Sequence, residues 1–194
     1  MKRNVIFIVI AIFLAMNFLI VGGGILWYIN TRNDIVRLDE TINLAEAEIN
    51  NQLQRRSDLI PNLVNTVRGY AAHEHQVFAD IADARARLAG ATTMEERSAS
   101  SGEMESALSR LLVVVENYPA LQANRNFIAL QDELAGTENR LAVARRRYNE
   151  SVGTFNVRIR AFPGSIVAGQ MGFDRRAFFE ISDEAREAPV VVFN

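Results

Sequence analysis

Three residues in a row, His73, Glu74 and His75, carry the imidazole and carboxylate groups that bind zinc. Their spacing argues against a metal site, because residues two apart on a helix point about 200° away from each other, whereas helical ligand pairs sit three or four apart. Ser57 and Ser101 have no histidine placed for a triad by any recognisable motif, and no glycine-rich phosphate loop follows a strand. Glu95 and Glu96 read as the solvated start of a helix. A larger polar set lies within helical stretches: Arg56, Asn62, Glu116, Asn117, Asn126, Glu138, Arg140, Tyr148 and Asn149. Asparagine is a poor helix former, and within packed helices it usually satisfies backbone or side-chain groups at a bend. These residues are expected to form a buried hydrogen-bond network that sets helix register around Pro61 and Pro119. The functional alternative is a groove for a peptide or a lipid headgroup. No catalytic residue set, metal or cofactor is expected, and the chain reads as a non-enzyme.

Composition narrows the partners. The 194 residues are 49% hydrophobic and 23% charged, one domain's worth of chain. Lys plus Arg number 21 against 23 Asp plus Glu, a net charge of −2, so the basic excess that a nucleic-acid partner requires is missing. The absence of cysteine removes thiolate catalysis, iron–sulfur clusters, zinc ribbons and disulfides together. Lys2 is the single lysine, and every other basic residue is an arginine, a bias that reads first as a lineage trait and second as carboxylate pairing.

The elements that must position the polar set begin with an anchor. After a short basic N-terminus, residues 1–4, the run from Val5 to Ile29 contains one strongly polar side chain, Asn17. As a helix it measures roughly 37 Å, more than the ~30 Å hydrocarbon thickness. A cleaved signal peptide has a shorter apolar core and a small-residue site at its end, so residues 5–29 are expected to be an uncleaved transmembrane anchor. Trp27 and Tyr28 are expected at the headgroup layer. Ala11, Ala15 and Asn17 could let two anchors pack, although one Asn and two Ala are tolerated in most single spans. Gly22 to Gly24 loosen the helix near its end. Lys2 and Arg3 before the span balance Arg32 and Arg37 after it; the compact basic N-terminus tips the reading towards an inside N-terminus and a domain on the outer face.

Beyond the anchor, residues 33–163 show helical periodicity. Ile35, Leu38, Ile42, Ala45, Ile49 and Leu53, then Ile60, Leu63, Val67 and Tyr70, recur at steps of 3 or 4, with Arg56 where an apolar residue is expected. Pro61 is expected to kink the helix or restart it from Ser57 or Asp58. Val77, Ile81, Ala84 and Leu88 form a second run that ends at Gly90 and could simply continue the first helix. Thr93 and Glu96 make a capping box for a third run, through Leu108, Leu111 and Val115, that Pro119 ends. From Phe127 to Phe162 every apolar step is 3 or 4, the pattern of a long helix stopped by Pro163 and Gly164. The expected fold is all-α: a single transmembrane helix, then an elongated antiparallel, coiled-coil-like bundle of about four helices.

The tail, residues 164–194, is expected to be mostly irregular. It combines Phe173, Phe178, Phe179 and Phe193 with Arg175 and Arg176. Either these aromatics fold back onto the bundle, or Phe173, Arg175, Arg176, Phe178 and Phe179 lie at the membrane interface with arginine at the phosphates. A subunit contact is the third reading.

The stretch from Arg55 to Val64, RRSDLIPNLV, with Val67 and Gly69-Tyr70, resembles the signature segment of the bacterial LemA family. So do Leu111 to Pro119, LLVVVENYP, then Asn124, Asn126-Phe127, Leu130-Gln131, Glu133-Leu134, Thr137 to Arg140, Ala144-Arg145 and Tyr148-Asn149, followed by Phe162-Pro163-Gly164 and Gly172-Phe173. The resemblance covers about residues 1 to 180 in order. It implies an N-terminal membrane helix followed by a long helical bundle, and the expected location is the bacterial cytoplasmic (inner) membrane, crossed once. Some members of the family are linked to membrane compartments such as magnetosomes. It carries no catalytic residues. Residues 89–106 and the tail after Phe179 match no motif.

The leading functional expectation is a membrane-anchored helical scaffold, a homo-oligomer that organises the lipid bilayer or other membrane proteins. The alternative is an adaptor that presents partners or substrates to another membrane protein, such as a protease or a signalling enzyme.

Overall fold

The computed structural model describes residues 2–179; Phe193 and the rest of the expected tail from residue 180 on lie outside the described residues. Every regular element among them is helical: α1 Lys2–Arg68, α2 His75–Gly90, α3 Met94–Val115, α4 Pro119–Gln122, α5 Arg125–Arg160 and α6 Gly164–Met171. The all-α class and the long apolar N-terminal helix agree with the sequence patterns.

The apolar segment and the first amphipathic run are one element, α1, of 67 residues. From Ile12 to Leu26 its large apolar side chains are exposed, and it is the one helix among the described residues long and apolar enough to cross a membrane. Asn17 turns its side-chain amide onto the Phe13 carbonyl at 2.9 Å, so its polar group is satisfied within the helix.

Pro61 lies inside α1, which continues to Arg68 with no restart at Ser57 or Asp58. A proline has no N–H for the carbonyl four residues earlier, here that of Ser57. Arg85, on α2, supplies the missing donor: its Nε lies 3.2 Å from the Ser57 carbonyl and 3.2 Å from the Ser57 hydroxyl. A neighbouring helix thus satisfies the acceptor that the proline leaves open.

The run from Val77 to Leu88 is a separate helix, α2, divided from α1 by the turn at Gly69 to Glu74. The capping box is formed as expected, Thr93 Oγ1 accepting from the Glu96 N–H at 3.2 Å while the Glu96 carboxylate accepts from the Thr93 N–H at 3.1 Å. Pro119 opens the single turn α4 at its first position. There the Gln122 side chain donates to the carbonyls of Val115, which also accepts from the Tyr118 N–H at 2.9 Å, and Glu116 at the end of α3. Asn124 caps α5, its Oδ1 accepting from the N–H groups of Asn126 and Phe127, while its Nδ2 donates to the Tyr70 hydroxyl.

The described residues divide into two compact units. One comprises the chain up to Thr41 with Thr154–Arg176, and the other Ile42–Gly153 with the residues from Ala177 on. In the second, Arg87 pairs with Glu103 and Arg110 with Asp80, so α2 and α3 run antiparallel. Gln52 meets Arg140 and Arg55 meets Glu133, which sets the α5 portion antiparallel to the α1 portion. Between these helices lies a core that includes Ile60, Leu63, Val67, Phe78, Ile81, Met104, Leu111, Leu121 and Phe127. Each such side chain contributes about 1.5–3 kcal/mol by leaving water.

The first unit has its own buried set, with Ile35 from α1, Phe155 and Ile159 from α5, and Val167 and Ala168 from α6. The regular helix α6 occupies a stretch expected to be irregular. Two of its residues are apolar and buried, and Gly172 ends it in the left-handed conformation, φ 70°, with the Phe173 N–H reaching back to the Ala168 carbonyl at 3.1 Å.

Candidate functional site

The most concentrated polar chemistry lies in the second unit, around Arg56. The helical seam of α1 asks for an apolar residue there, and the structure buries the arginine anyway, leaving its side chain 8% exposed. Its Nη1 donates to Glu138 Oε2 on α5. Glu138 also receives Arg145, two turns further along α5, with Nη1 3.5 Å from Oε1. The Arg145 Nη2 donates to the Ser101 hydroxyl on α3 at 2.7 Å, and its guanidinium lies 4.9 Å from the centroid of the Phe179 ring. One carboxylate therefore neutralises two arginines from two helices.

Burial pushes the Arg145 guanidinium below its ordinary value and Arg56 adds to that effect, while the Glu138 and Glu105 carboxylates oppose it. Among the described residues, two buried side-chain nitrogens have no hydrogen-bond partner, Arg56 Nε and Arg145 Nε. Beside this centre is a cleft of about 250 Å³, to which α1, α3 and α5 each bring apolar and polar groups: Leu63, Leu108, Leu112 and Leu134 with Arg56, Glu105, Gln131 and Glu138. A lining that mixes apolar and charged groups suits the binding of a side chain or another amphipathic group.

Of the expected polar network, Arg56, Glu138 and Arg140 share neighbouring positions, Arg140 lying between Gln52 at 3.2 Å and Glu133 at 3.5 Å. Arg55 completes that exposed pair and holds the Glu133 carboxyl below the usual glutamate range. Asn62, Glu116, Asn117 and Asn126 are exposed: Asn62 lies within α1, its carbonyl accepting from the Thr66 hydroxyl at 2.8 Å, and the other three lie at helix ends, with the Glu116 carbonyl and the Asn126 N–H capped as described. Tyr148 and Asn149 are engaged elsewhere: the Tyr148 hydroxyl donates to the Ala177 carbonyl at 3.0 Å, and the Asn149 side chain clasps both the N–H and the C=O of Phe179.

In the first unit a second asparagine acts in the same way. The buried Asn156 side chain accepts from the Arg176 N–H at 3.0 Å and donates to its C=O at 2.9 Å. Arg176 grips Asp39 Oδ1 with two nitrogens, at 2.8 and 3.1 Å. The Phe173 ring meets Phe155 edge-on at 5.7 Å. Of the residues expected at a membrane interface, Phe179 is buried, Phe173 and Arg176 are half-buried against the partners just named, Arg175 and Phe178 stand exposed, and Trp27 and Tyr28 lie on α1 just before Ile29.

Sequence reasoning did not single out Arg145, Ser101 or Asn156 as site residues. The signals were present: Arg145 follows Glu138 by seven residues and Asn156 follows Asn149 by seven, each pair two turns apart on one helix face. Ser101 is a small polar residue at a buried position of α3. His73 lies in the turn before α2 and His75 is its first residue, both exposed.

The family described as the LemA family matches residues 45–193. The chain is similar to the magnetosome protein MamQ of Magnetospirillum gryphiswaldense, 26% identical over 185 residues, covering 82% of this chain and 68% of the relative. Magnetosome protein MamQ 1 of Paramagnetospirillum magneticum matches with the same identity and coverage. Protein LemA of Metamycoplasma hominis is 23% identical over 172 residues, covering 87% of this chain and 78% of that protein.

Proposed function

The chain belongs to the LemA family, and from that premise we propose that it is a non-enzymatic, membrane-anchored helical scaffold that assembles with its own copies and organises a bilayer or the proteins within it. The observation that carries the reading is α1, whose exposed apolar segment continues without a break into the helix that supplies Ile60, Leu63 and Val67 to the core. In this reading α1 is a single pass through the bacterial cytoplasmic membrane, and the helical domain stands on the outer face. The relatives named as magnetosome proteins support a role in the organisation of a membrane structure. The mass distribution of the full-length protein, extracted in mild detergent, tests it. A large assembly of defined size is the expected result, and a monomer at every concentration overturns the reading.

A second reading, an adaptor for another membrane protein, is favoured by the cleft beside Arg56 and Glu138, which has the mixed lining that a partner side chain would need. Crosslinking in cells separates the two: one dominant heterologous partner supports the adaptor, and self-crosslinks support the scaffold.

A further inference from the structure

We propose that the corner between α5 and α6 is a second membrane contact, at which Phe162 and Ile166 enter the headgroup layer of the bilayer that holds α1. The inference rests on α1 as the anchor. Within the first unit, Arg158 Nε donates to Asp34 Oδ2 at 2.8 Å and fixes the level of α5 on α1. Asn156 is tied to Arg176, which is tied to Asp39, so passing from 156 to 158 on α5 corresponds to passing from 39 towards 34 on α1. The end of α5 therefore points back towards the apolar span.

The distances agree. From Asp34 to Ile29 is five helical residues, ~7.5 Å, and from Arg158 to Phe162 is four, ~6 Å at the same rise. The Ala161 N–H is still bonded to the Val157 carbonyl at 2.9 Å, so the helical path holds almost to Phe162. Phe162 then stands about level with Asn30 and Ile29, at the end of the span. Its ring is 82% exposed, the highest value among the large apolar side chains described, and Ile166, one turn into the next helix, is 52% exposed. Arg32 and Arg160, both exposed, provide cations beside the corner, the arrangement in which aromatic and aliphatic side chains enter the interface while guanidinium groups meet phosphate. The bilayer is the occupant because α1 already holds this corner within a few residues of its surface.

The chain has no cysteine, so single labels can be placed without background. Full-length Phe162→Cys, Ile166→Cys, Phe18→Cys and Val113→Cys proteins are spin-labelled in vesicles of phosphatidylethanolamine and phosphatidylglycerol, and accessibility to oxygen is compared with that to a water-soluble nickel chelate. Phe18 reports the span, and Val113, exposed on α3, is the aqueous reference. The expected result is that labels at 162 and 166 favour oxygen several-fold more than the label at 113. Labels at 162 and 166 that match 113, with 18 in lipid, overturn the second contact and leave the anchor standing; a label at 18 that also reads as water overturns both. Spin–spin broadening at 162 that disappears on dilution with unlabelled protein overturns it in favour of a second copy as the occupant.

Discussion

Replacing Glu138 by Gln should cost more stability than replacing either arginine that it serves. The substitution keeps the shape of the side chain and removes its charge, leaving the guanidinium groups of Arg56 and Arg145 close together with the nearest carboxylate gone. Breaking a buried ion pair from one side costs about 3–5 kcal/mol. Glu138 keeps 30% of its side-chain surface in contact with water, and Glu105 still acts on Arg145, so the low end applies, about 3 kcal/mol. For a chain of this size that lowers Tm by about 6–12 °C. Arg56→Met should cost far less, because it removes a buried charge with an unpartnered Nε and replaces it with an apolar side chain of similar length. In the Arg56→Met background, Glu138→Gln should then cost less than it does alone, since a single guanidinium is left unneutralised. Thermal unfolding of the full-length protein in lipid nanodiscs, followed by far-ultraviolet circular dichroism, gives all four corners of this cycle. If Arg56→Met proves as costly as Glu138→Gln, or if Glu138→Gln melts with the parent, the shared-carboxylate account is wrong.

The capping box makes stability depend on acid. Hydrogen bonds from the Thr92 and Thr93 backbone N–H groups hold the Glu96 carboxyl below the usual glutamate range, so its contribution is complete above about pH 4.3, the unfolded value, and is lost as pH falls through the lower folded value. Glu96→Gln should flatten that acid limb in a pH series of denaturant melts, and Thr93→Ala should cost about 1 kcal/mol at neutral pH. Phe155→Ala, at a fully buried position that also loses its edge contact with Phe173, should destabilise by about 3–5 kcal/mol in the same melts. Gly164→Ala should destabilise by about 1–3 kcal/mol, because the added methyl would lie 2.3 Å from the Arg158 carbonyl oxygen and the backbone must shift to admit it.

The two asparagine clasps show how residues poor at forming helices come to sit in the middle of one. Asn149 and Asn156 each offer one acceptor and one donor to a residue in the non-helical segment that follows α6, matching that residue's N–H and C=O as a neighbouring strand would. Arg176 and Phe179 therefore keep partners for both of their backbone polar groups outside any helix. The periodicity of α5 identifies the apolar face that packs, whereas the partners of the asparagines come from residues twenty and thirty positions later.

The sequence alone determined the all-α class, the long apolar N-terminal helix, the capping box before α3 and the existence of the long helix α5. Those features follow from local rules: the 3.6-residue period of apolar side chains, a hydroxyl and a carboxylate three residues apart, and an apolar run long enough for a bilayer. Tertiary structure decided what local rules leave open. The run through Pro61 stays helical because Arg85 of α2 meets the Ser57 carbonyl, a partner 28 residues away that no local pattern names. Arg56 is tolerated in a buried seam because Glu138 arrives from α5, and the tail aromatics divide into the buried Phe179 and the exposed Phe178 according to what packs above them. Burial and ion pairing depend on which distant residues meet, and one-dimensional spacing does not contain that information.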